Sequence, residues 1–372
     1  MPTSIQSFPF QLKFASVLII IMAFGYLFYI GQNVISPLLI ALLFAILLRP
    51  VVEFLMVKLR IPNVIACLFV VFTFTLLFVG IFYFISSQIA IMAEDWDKIK
   101  SNLNDHYNHI QAYISDTFNL SKKEQNKIVK DATSGPEGNG KIISTTLLSF
   151  TDVLLSMIVV PVYMFLTLLY RTHLVTFLCK LFNEKHHAKL QDIITTIKIS
   201  VQSYILGLLF ELLIVSGLTS LGLWIVGVKY AILLGVITGL LNLIPYIGIF
   251  TAGLLTIVAS LTGSSDLSIV IGIIGVNLLV QFIDNNLLIP LVVSSKVEIN
   301  SLATIFGIIT SGAIAGVSGM FLAIPLMAIL KVIFDRVEGL EAWGYLLGDD
   351  LPKSFKWKKT KAVIPVEKNT EK

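Results

Sequence analysis

Apolar runs of about twenty residues or more, repeated along the chain, limit what this sequence can fold into more than any other feature. A helix needs roughly 20 apolar residues to cross a hydrocarbon core about 30 Å thick. Only 13% of the 372 residues are charged, whereas soluble domains carry about 25%. A soluble core of this size cannot hide so much apolar surface. We therefore predict an all-α integral membrane protein.

The runs predict about eight transmembrane helices. We place them at about residues 12–31, 33–48, 62–87, 145–170, 201–226, 230–261, 267–292 and 302–334. The first two are separated only by Gly31, Gln32 and Asn33, which predicts a tight helical hairpin. The sixth run is too long for one straight span, so we expect some helices to be discontinuous or re-entrant.

The runs also divide the chain into five regions. Residues 1–93 hold the first three spans, and residues 94–144 form a small helical insert outside the membrane. Residues 145–200 hold the fourth span and a basic amphipathic helix at the cytoplasmic surface. The core spans occupy residues 201–337, and residues 338–372 form a basic cytoplasmic tail.

The distribution of basic residues predicts the orientation. Most of the 27 Lys and Arg residues fall in cytoplasmic segments if both termini lie inside, as the positive-inside rule requires. We therefore expect a multi-pass protein of the cytoplasmic (inner) cell membrane with both termini in the cytoplasm.

The sixth run carries residues that break helices. Asn242, Pro245, Tyr246 and Gly248 lie within seven residues of otherwise apolar sequence. Lipid cannot satisfy free backbone groups, so a break at membrane depth must face protein or a water-filled cavity. The pattern favours two half-helices whose free ends could meet a polar solute or an ion; a kinked ordinary helix is the alternative.

Polar side chains also enter the seventh run. Asn277, Gln281 and Asp284 (or Asn285) are spaced so that one helix face carries them all. That face is expected to point into the bundle, as part of a transport path or as a hydrogen-bonded knot between helices. Glu211, the acid of the fifth span, is either a proton or cation carrier or a partner for a polar group on a neighbouring helix.

A last group of residues points to helix breaks or close packing. Glycines recur through the final span, and Gly312, Gly316 and Gly319 allow close approach of another helix. Pro290 follows the polar residues of the seventh run, and Pro325 is expected to kink the final span or to fit a local break.

Enzyme motifs are absent from the sequence. It contains no Walker A motif, no H-E-x-x-H, no nucleophile elbow and no dinucleotide fingerprint. We expect no enzymatic activity, no cofactor, no metal site and no nucleic-acid partner.

Three strings of the sequence carry a resemblance to a known family. "GLLNLIPYIGIF", "DNNLLIPLVV" and "GAIAGVSGMFLAIPLMAIL" occur in this order, and the chain resembles the autoinducer-2 exporter (AI-2E) family of permeases over nearly its whole length. The resemblance implies eight spans and cytoplasmic termini. It also implies a transport role for Asn242, Pro245, Tyr246, Gly248, Asp284 and Asn285, and a structural role for Pro290, Gly316, Gly319 and Pro325.

The resemblance implies several activities and departs from the family at particular positions. Members export a signalling furanone or exchange sodium or lithium for protons, and some assemble as oligomers, pentamers among them. This chain has Ile249 where members often have proline, Asn300-Ser301 where a His-Pro-like pair is usual, and Gly207-Leu208 in place of a Gly-Gln. These changes weaken any inference of a shared substrate.

Three functions remain open on the sequence. The first is a secondary transporter that exports a small polar solute past the break of the sixth span and the polar face of the seventh. The second is a Na⁺(Li⁺)/H⁺ antiporter that uses Asp284 and Glu211. The third is a membrane scaffold that transports nothing. The expected partners are the solute or a monovalent cation or proton, the lipid bilayer, and further copies of the chain.

Overall fold

A computed structural model describes residues 10–95, 158–244, 267–293 and 299–349, together with residues 101, 111, 115, 248, 253 and 256. All regular elements in this part of the chain are helical, which confirms the predicted all-α class. Most of the insert at 94–144, the start of the fourth span and the basic tail lie outside the described residues. The helices are α1 Phe10–Lys58, α2 Asn63–Glu94, α3 Ile158–Leu169, α4 Arg171–Leu181, α5 His187–Val226, α6 Ala231–Asn242, α7 Leu267–Ile283, a π-helix Asp284–Val293, α8 Ser301–Arg336 and α9 Glu341–Leu347.

Membrane-crossing length is the common property of the long helices. Within the described residues, five helices are long and apolar enough to cross a membrane, and α3 with α4 forms a sixth candidate that is bent by 66°. Their outward faces carry exposed leucine, isoleucine and phenylalanine, as expected for side chains in contact with lipid. The integral membrane class is confirmed, whereas the count of eight spans is not.

The first helix corrects the predicted hairpin. α1 runs without interruption from Phe10 to Lys58 through Gly31, Gln32 and Asn33, with Pro37 and Pro50 inside it. A glycine costs a helix only about 1 kcal/mol relative to alanine, and three uncharged residues between apolar turns do not stop the backbone ladder. The tight hairpin was therefore wrong. The helix count that supported two cytoplasmic termini changes with it, and the sidedness of the termini stays a prediction.

The central helix α5 defines the two sides of the molecule. We call the side on which α5 begins side A and the side on which it ends side B. On side A, Arg336 at the end of α8 pairs with Asp192 of α5 at 2.6 Å. On side B, Asp95 after α2 accepts hydrogen bonds from Lys229 and Tyr230, which follow α5. These polar contacts mark two layers with the apolar helices between them.

α8 is a helical hairpin, although its length alone is enough for one span. Ala315 and Gly316 have non-helical backbone angles, and Gly316 has φ +58° and ψ −142°. L-residues rarely adopt such a positive φ, so glycine permits the turn. We call residues 301–314 α8a and residues 317–336 α8b. The break of the final span therefore lies at Gly316 and not at Pro325, where the sequence predicted a kink or a local break; Pro325 is inside α8b.

Contacts between the two halves show that α8 folds back on itself. A Cβ on Gly312 would lie 2.7 Å from Cε of Met320, and one on Gly307 would collide with Met327. The backbone N–H of Asn300, just before α8a, donates to Leu347 O of α9 at 2.9 Å. Because Asn300 and Arg336 lie at the same end of the hairpin, α8 enters from side A and returns to side A.

α5 and α6 pack more closely than ordinary side chains allow. A Cβ on Gly235 would lie 2.6 Å from the backbone N of Ser220, and a Cβ on Gly239 would lie 2.7 Å from Leu212 O. Backbone atoms cannot move aside as a flexible side chain can. The two glycines therefore let α6 lie directly against α5, which brings the polar end of α6 to the middle of α5.

Candidate functional site

Glu211 lies near the middle of α5. A helix rises 1.5 Å per residue, so Glu211 is about 28 Å along α5 from Asp192 and about 22 Å from Val226. Its side chain is buried, with only 6% of the residue exposed. The carboxyl group is therefore held inside the protein at the depth of the lipid core.

Asn242, the last residue of α6, links two buried acids. Its Nδ2 donates to Oε1 of Glu211 at 2.7 Å and to Oδ2 of Asp284 at 3.1 Å. All three residues are buried, and they come from three different helical segments. We call Glu211, Asn242 and Asp284 the acid–amide centre.

Asp284, the third residue of the acid–amide centre, lies where the helix type changes. α7 ends at Ile283, and the π-helix begins at Asp284. π-helical turns shift the register of side chains around the axis and occur often at functional sites. Here Asp284 is buried whereas the next residue, Asn285, is exposed.

A small cavity of about 30 Å³ adjoins the acid–amide centre. It is lined by Val215, Thr238, Asn242, Gly253, Asn277, Val280, Gln281 and Asp284. Roughly 10–15 Å³ on this measure holds one water molecule, so the cavity has room for about two waters or for one small ion. Oδ1 of Asp284 is buried beside it and has no hydrogen-bond partner among the described residues.

The chain turns back after α6. α6 ends at Asn242, and Gly248 and Gly253 are helical again. A straight helix would carry Gly253 about 16 Å beyond Asn242, yet Gly253 lines the same cavity as Asn242 and Thr238, one turn earlier in α6. The predicted discontinuous helix is confirmed at this break, and its end faces the acid of the seventh span.

The two folded-back helices enter from opposite sides. α6 starts on side B, beside Tyr230, and reaches the depth of Glu211 at Asn242. α8b begins after the turn at Gly316 and runs about 30 Å to Arg336 on side A, so the turn lies at a depth similar to that of Glu211 on α5. Helix ends buried at the midplane, from both sides, are a known construction of secondary transporters.

The acid–amide centre holds two acidic side chains. No lysine or arginine of the described residues forms an ion pair with Glu211 or Asp284. Two nearby carboxylates repel each other, and burial disfavours each negative charge. A bound proton or a monovalent cation relieves both effects, and the side chains that line the cavity supply oxygen ligands. Within the part of the chain that is described, no cluster of three or more metal-binding side chains occurs.

The structure brings together some of the predicted site residues and separates others. Asn242, Asn277, Gln281 and Asp284 line one cavity, and Glu211 joins them through Asn242. Asn285 is exposed and accepts a hydrogen bond from Gln281 at 3.0 Å.

Other predicted residues lie elsewhere or beyond the description. Gly248 is helical after the break, and Gly312, Gly316 and Gly319 lie at the contact and turn of the α8 hairpin. Pro290 is in the π-helix. Pro245 and Tyr246 fall outside the described residues, as does the side chain of Pro290.

Four of the cavity residues are not predicted from the sequence: Val215, Thr238, Gly253 and Val280. Thr238 precedes Asn242 by four residues, so helical spacing places both on one face of α6 and could have indicated it. Gly253 has no local signal, because its place depends on the turn of the chain after Asn242. The backbone of Gly253 lies close to the polar face of α7: a Cβ there would lie 3.9 Å from Nδ2 of Asn277.

Comparison with known proteins gives matches along most of the chain. A family model described as AI-2E family transporter matches residues 18–339. The "Putative transport protein YueF" of Bacillus subtilis is 27% identical over 312 residues, which cover 80% of this chain and 82% of that protein. A "Putative transport protein" of Haemophilus influenzae is 25% identical over 329 residues, 86% and 91% of the two chains. The "Putative permease PerM" of Escherichia coli K12 is 27% identical over 133 residues, 36% and 38%.

Proposed function

Because the chain belongs to the AI-2E transporter family, we propose that it is a secondary transporter whose acid–amide centre binds the transported or coupling ion. The ion is a proton or a monovalent cation. Glu211 and Asp284 carry it, and Asn242 holds the two carboxyl groups together.

One observation carries the proposal: a single amide joins two buried carboxyl groups at the depth where two broken helices end. An ion that binds there neutralises repulsion that no basic side chain of the described residues balances. Oδ1 of Asp284, which accepts no hydrogen bond from any described residue, is the acceptor beside the cavity. Ion binding gives this buried oxygen a partner. A purely structural arrangement of the three side chains leaves the oxygen without one.

The size of the cavity favours an ion over an organic solute in this conformation. A volume of about 30 Å³ accommodates two waters or one dehydrated monovalent cation. A small polar solute is the second candidate cargo, and the opposed hairpins favour it, since movement of either hairpin would open the centre to one side.

Flux measurements on reconstituted protein test the proposal. Purified protein is placed in proteoliposomes that contain a pH-sensitive dye, and sodium, lithium or potassium is added outside, with and without a pH gradient. We expect the wild-type protein to change the internal pH, and we expect Asp284→Asn and Glu211→Gln to reduce that flux at least tenfold. Asn286→Ala, which changes an exposed neighbour of Asp284, is the matched control and should retain the flux.

Two other outcomes contradict the proposal in different ways. If Asp284→Asn and Glu211→Gln assemble normally and keep every ion flux, neither acid is a carrier. If correctly assembled wild-type protein moves no ion and no member of a panel of polar solutes, the scaffold hypothesis replaces transport.

A further inference from the structure

The axis of α4 makes a large angle with the axis of α3, the helix before it. α3, Ile158–Leu169, and α4, Arg171–Leu181, are bent by 66° relative to each other. Membrane helices tilt by about 20° on average from the bilayer normal. If α3 follows the normal, α4 therefore runs closer to the bilayer plane than to the direction of the spans.

Ionic contacts place the start of α4 at the surface on side A. Nη1 of Arg171 lies 3.5 Å from Oε1 of Glu53, which also accepts from Nε of Arg49 at 2.8 Å. Glu53 belongs to the last turns of α1, which ends at Lys58, and only a short segment with the 3₁₀ turn Glu184–His186 separates α4 from the start of α5. α4 therefore lies where the ends of two long helices reach the edge of the membrane.

One face of α4 is apolar and uncovered. Leu174, Phe177 and Leu181 are spaced three and four residues apart, so they share one face. Their exposed fractions are 45%, 54% and 61%, and α4 has no buried residue. Phe182, just after the helix, is also 49% exposed. The face lies at the membrane surface. It can therefore bury its apolar side chains at the boundary between the lipid headgroups and the acyl chains.

Basic side chains lie beside this face. Lys180 is in the last turn of α4, Lys185 follows in the short 3₁₀ turn before α5, and both are exposed. No ion pair involving either lysine occurs among the described residues. An apolar face with flanking lysines is the pattern of helices that lie on membranes and attract anionic lipid.

The end of α4 is fixed to α5. Nε2 of His187, the first residue of α5, lies 2.9 Å from Cys179 O and 3.0 Å from Phe182 O. These two carbonyls belong to the end of α4 and the residue after it, so the imidazole N–H satisfies groups that the helix leaves free. α4 is thus held in one orientation relative to the helix that carries Glu211.

We propose that α4 is an interfacial helix that binds anionic phospholipid on side A. Leu174, Phe177 and Leu181 insert at the headgroup–acyl boundary, and Lys180 and Lys185 contact headgroup phosphates. The charge of these lysines selects an anionic lipid rather than a neutral one. This binding site is separate from the acid–amide centre and does not depend on the transported species.

Spin labels on two neighbouring residues test the insertion. In protein with Cys179→Ser, Phe177→Cys and Thr176→Cys are labelled in turn and reconstituted in bilayers; Cys67 is fully buried. We expect the label at 177 to collide more often with oxygen than with a water-soluble nickel chelate, and the label at 176 to show the reverse. Equal accessibility at the two sites overturns the proposal. So does strong spin–spin broadening at 177, which would show that a second copy covers the face.

A second experiment tests the preference for anionic lipid. The midpoint of thermal unfolding is measured in micelles with added phosphatidylcholine or phosphatidylglycerol. We expect phosphatidylglycerol to raise the midpoint of the wild type more than phosphatidylcholine does. The variant Lys180→Gln/Lys185→Gln should lose at least half of that extra rise, whereas Lys180→Arg/Lys185→Arg should keep it.

The controls of this second experiment separate the lipid from other anions. Inorganic phosphate at the same concentration should give no rise, and an equal rise would mean that a free anion is bound instead of lipid. If the glutamine variant responds to phosphatidylglycerol as the wild type does, the two lysines do not bind the headgroup and the proposal fails. Because the unfolding midpoint needs no transport assay, either result is independent of the proposed transport function.

Discussion

Asn242 donates a hydrogen bond to Glu211 at 2.7 Å, and this bond joins the end of α6 to the middle of α5. Nδ2 of the same amide also donates to Oδ2 of Asp284 at 3.1 Å. Two buried acids on different helices therefore depend on one donor group. Their separation, and with it the shape of the cavity, is set by the position at which α6 ends.

Replacing this donor should destabilise the protein. Asn242→Leu leaves two buried acceptors without their partner, and each such loss costs about 1–3 kcal/mol, although bonds inside membranes average nearer 0.6 kcal/mol. We expect the free energy of unfolding to fall by about 1–3 kcal/mol, measured in mixed micelles with increasing sodium dodecyl sulfate. Asn286→Leu, at an exposed site, is the control, and an equal loss in both variants would contradict the central role of Asn242.

A methyl group between α5 and α6 should also destabilise the protein. In Gly239→Ala the new Cβ meets Leu212 O at 2.7 Å and collides with Ser216, and such overpacking costs about 1–3 kcal/mol. Gly217→Ala on α5 is the control, because a Cβ there meets nothing within 4 Å and should be neutral or slightly stabilising.

A double variant separates the two obstacles at Gly239. Ser216→Ala removes the hydroxyl but leaves Leu212 O in place, so it should restore only part of the stability that Gly239→Ala loses. Full restoration would show that the backbone of α5 can move away, and unchanged stability in Gly239→Ala would contradict the close contact.

Two spin labels can measure the fold of α8. Leu302 in α8a and Leu330 in α8b are both exposed, at 79% and 45%. A straight helix would separate them by about 42 Å, whereas packed antiparallel halves lie about 8–10 Å apart. We expect double electron–electron resonance on Leu302→Cys/Leu330→Cys to give a distance below about 25 Å once the label arms are included. A distance distribution centred near 40 Å would show instead that α8 is one straight span.

High pH should weaken the contact on side B. The hydrogen bond to Asp95 is the first cause that raises the pKa of Lys229, and the bond with Tyr230 adds to it. The folded protein therefore holds this proton more tightly than the unfolded chain. The stabilisation is complete below the ordinary lysine pKa of about 10.4 and is lost as the pH rises through the raised value.

A variant without the lysine should show this dependence by difference. Lys229→Met is expected to unfold at a lower temperature than the wild type at pH 8. The difference between the two unfolding temperatures should shrink as the pH rises above the pKa of free lysine. Lys198→Met, which changes a lysine of α5 outside this cluster, should leave the pH profile unchanged. A constant difference between wild type and Lys229→Met at every pH would show that the contact does not titrate.

Much of the site could be predicted from the sequence because lipid makes polar residues conspicuous. Asp284, Asn277 and Gln281 stand out in an apolar run, and helical spacing alone places them on one face. The break after Asn242 is also visible, since a proline and a glycine follow in a segment that must otherwise be helical.

The remaining features depend on contacts between distant parts of the chain. The bonds of Asn242 to Glu211 and Asp284 span 31 and 42 residues, and no local pattern specifies such pairs. Hydropathy misled at both ends of the chain. It measures length and polarity, so it split the continuous α1 at a weakly polar turn and read α8 as one span, although a positive φ at Gly316 reverses the chain there.

The hairpin of α8 changes how topology experiments on this protein should be read. Its apolar residues are numerous enough for a crossing, yet Asn300 and Arg336 lie at the same end. A reporter enzyme fused after residue 299 and one fused after residue 337 therefore report the same compartment. A map that counts α8 as one crossing would place these two positions on opposite sides of the membrane.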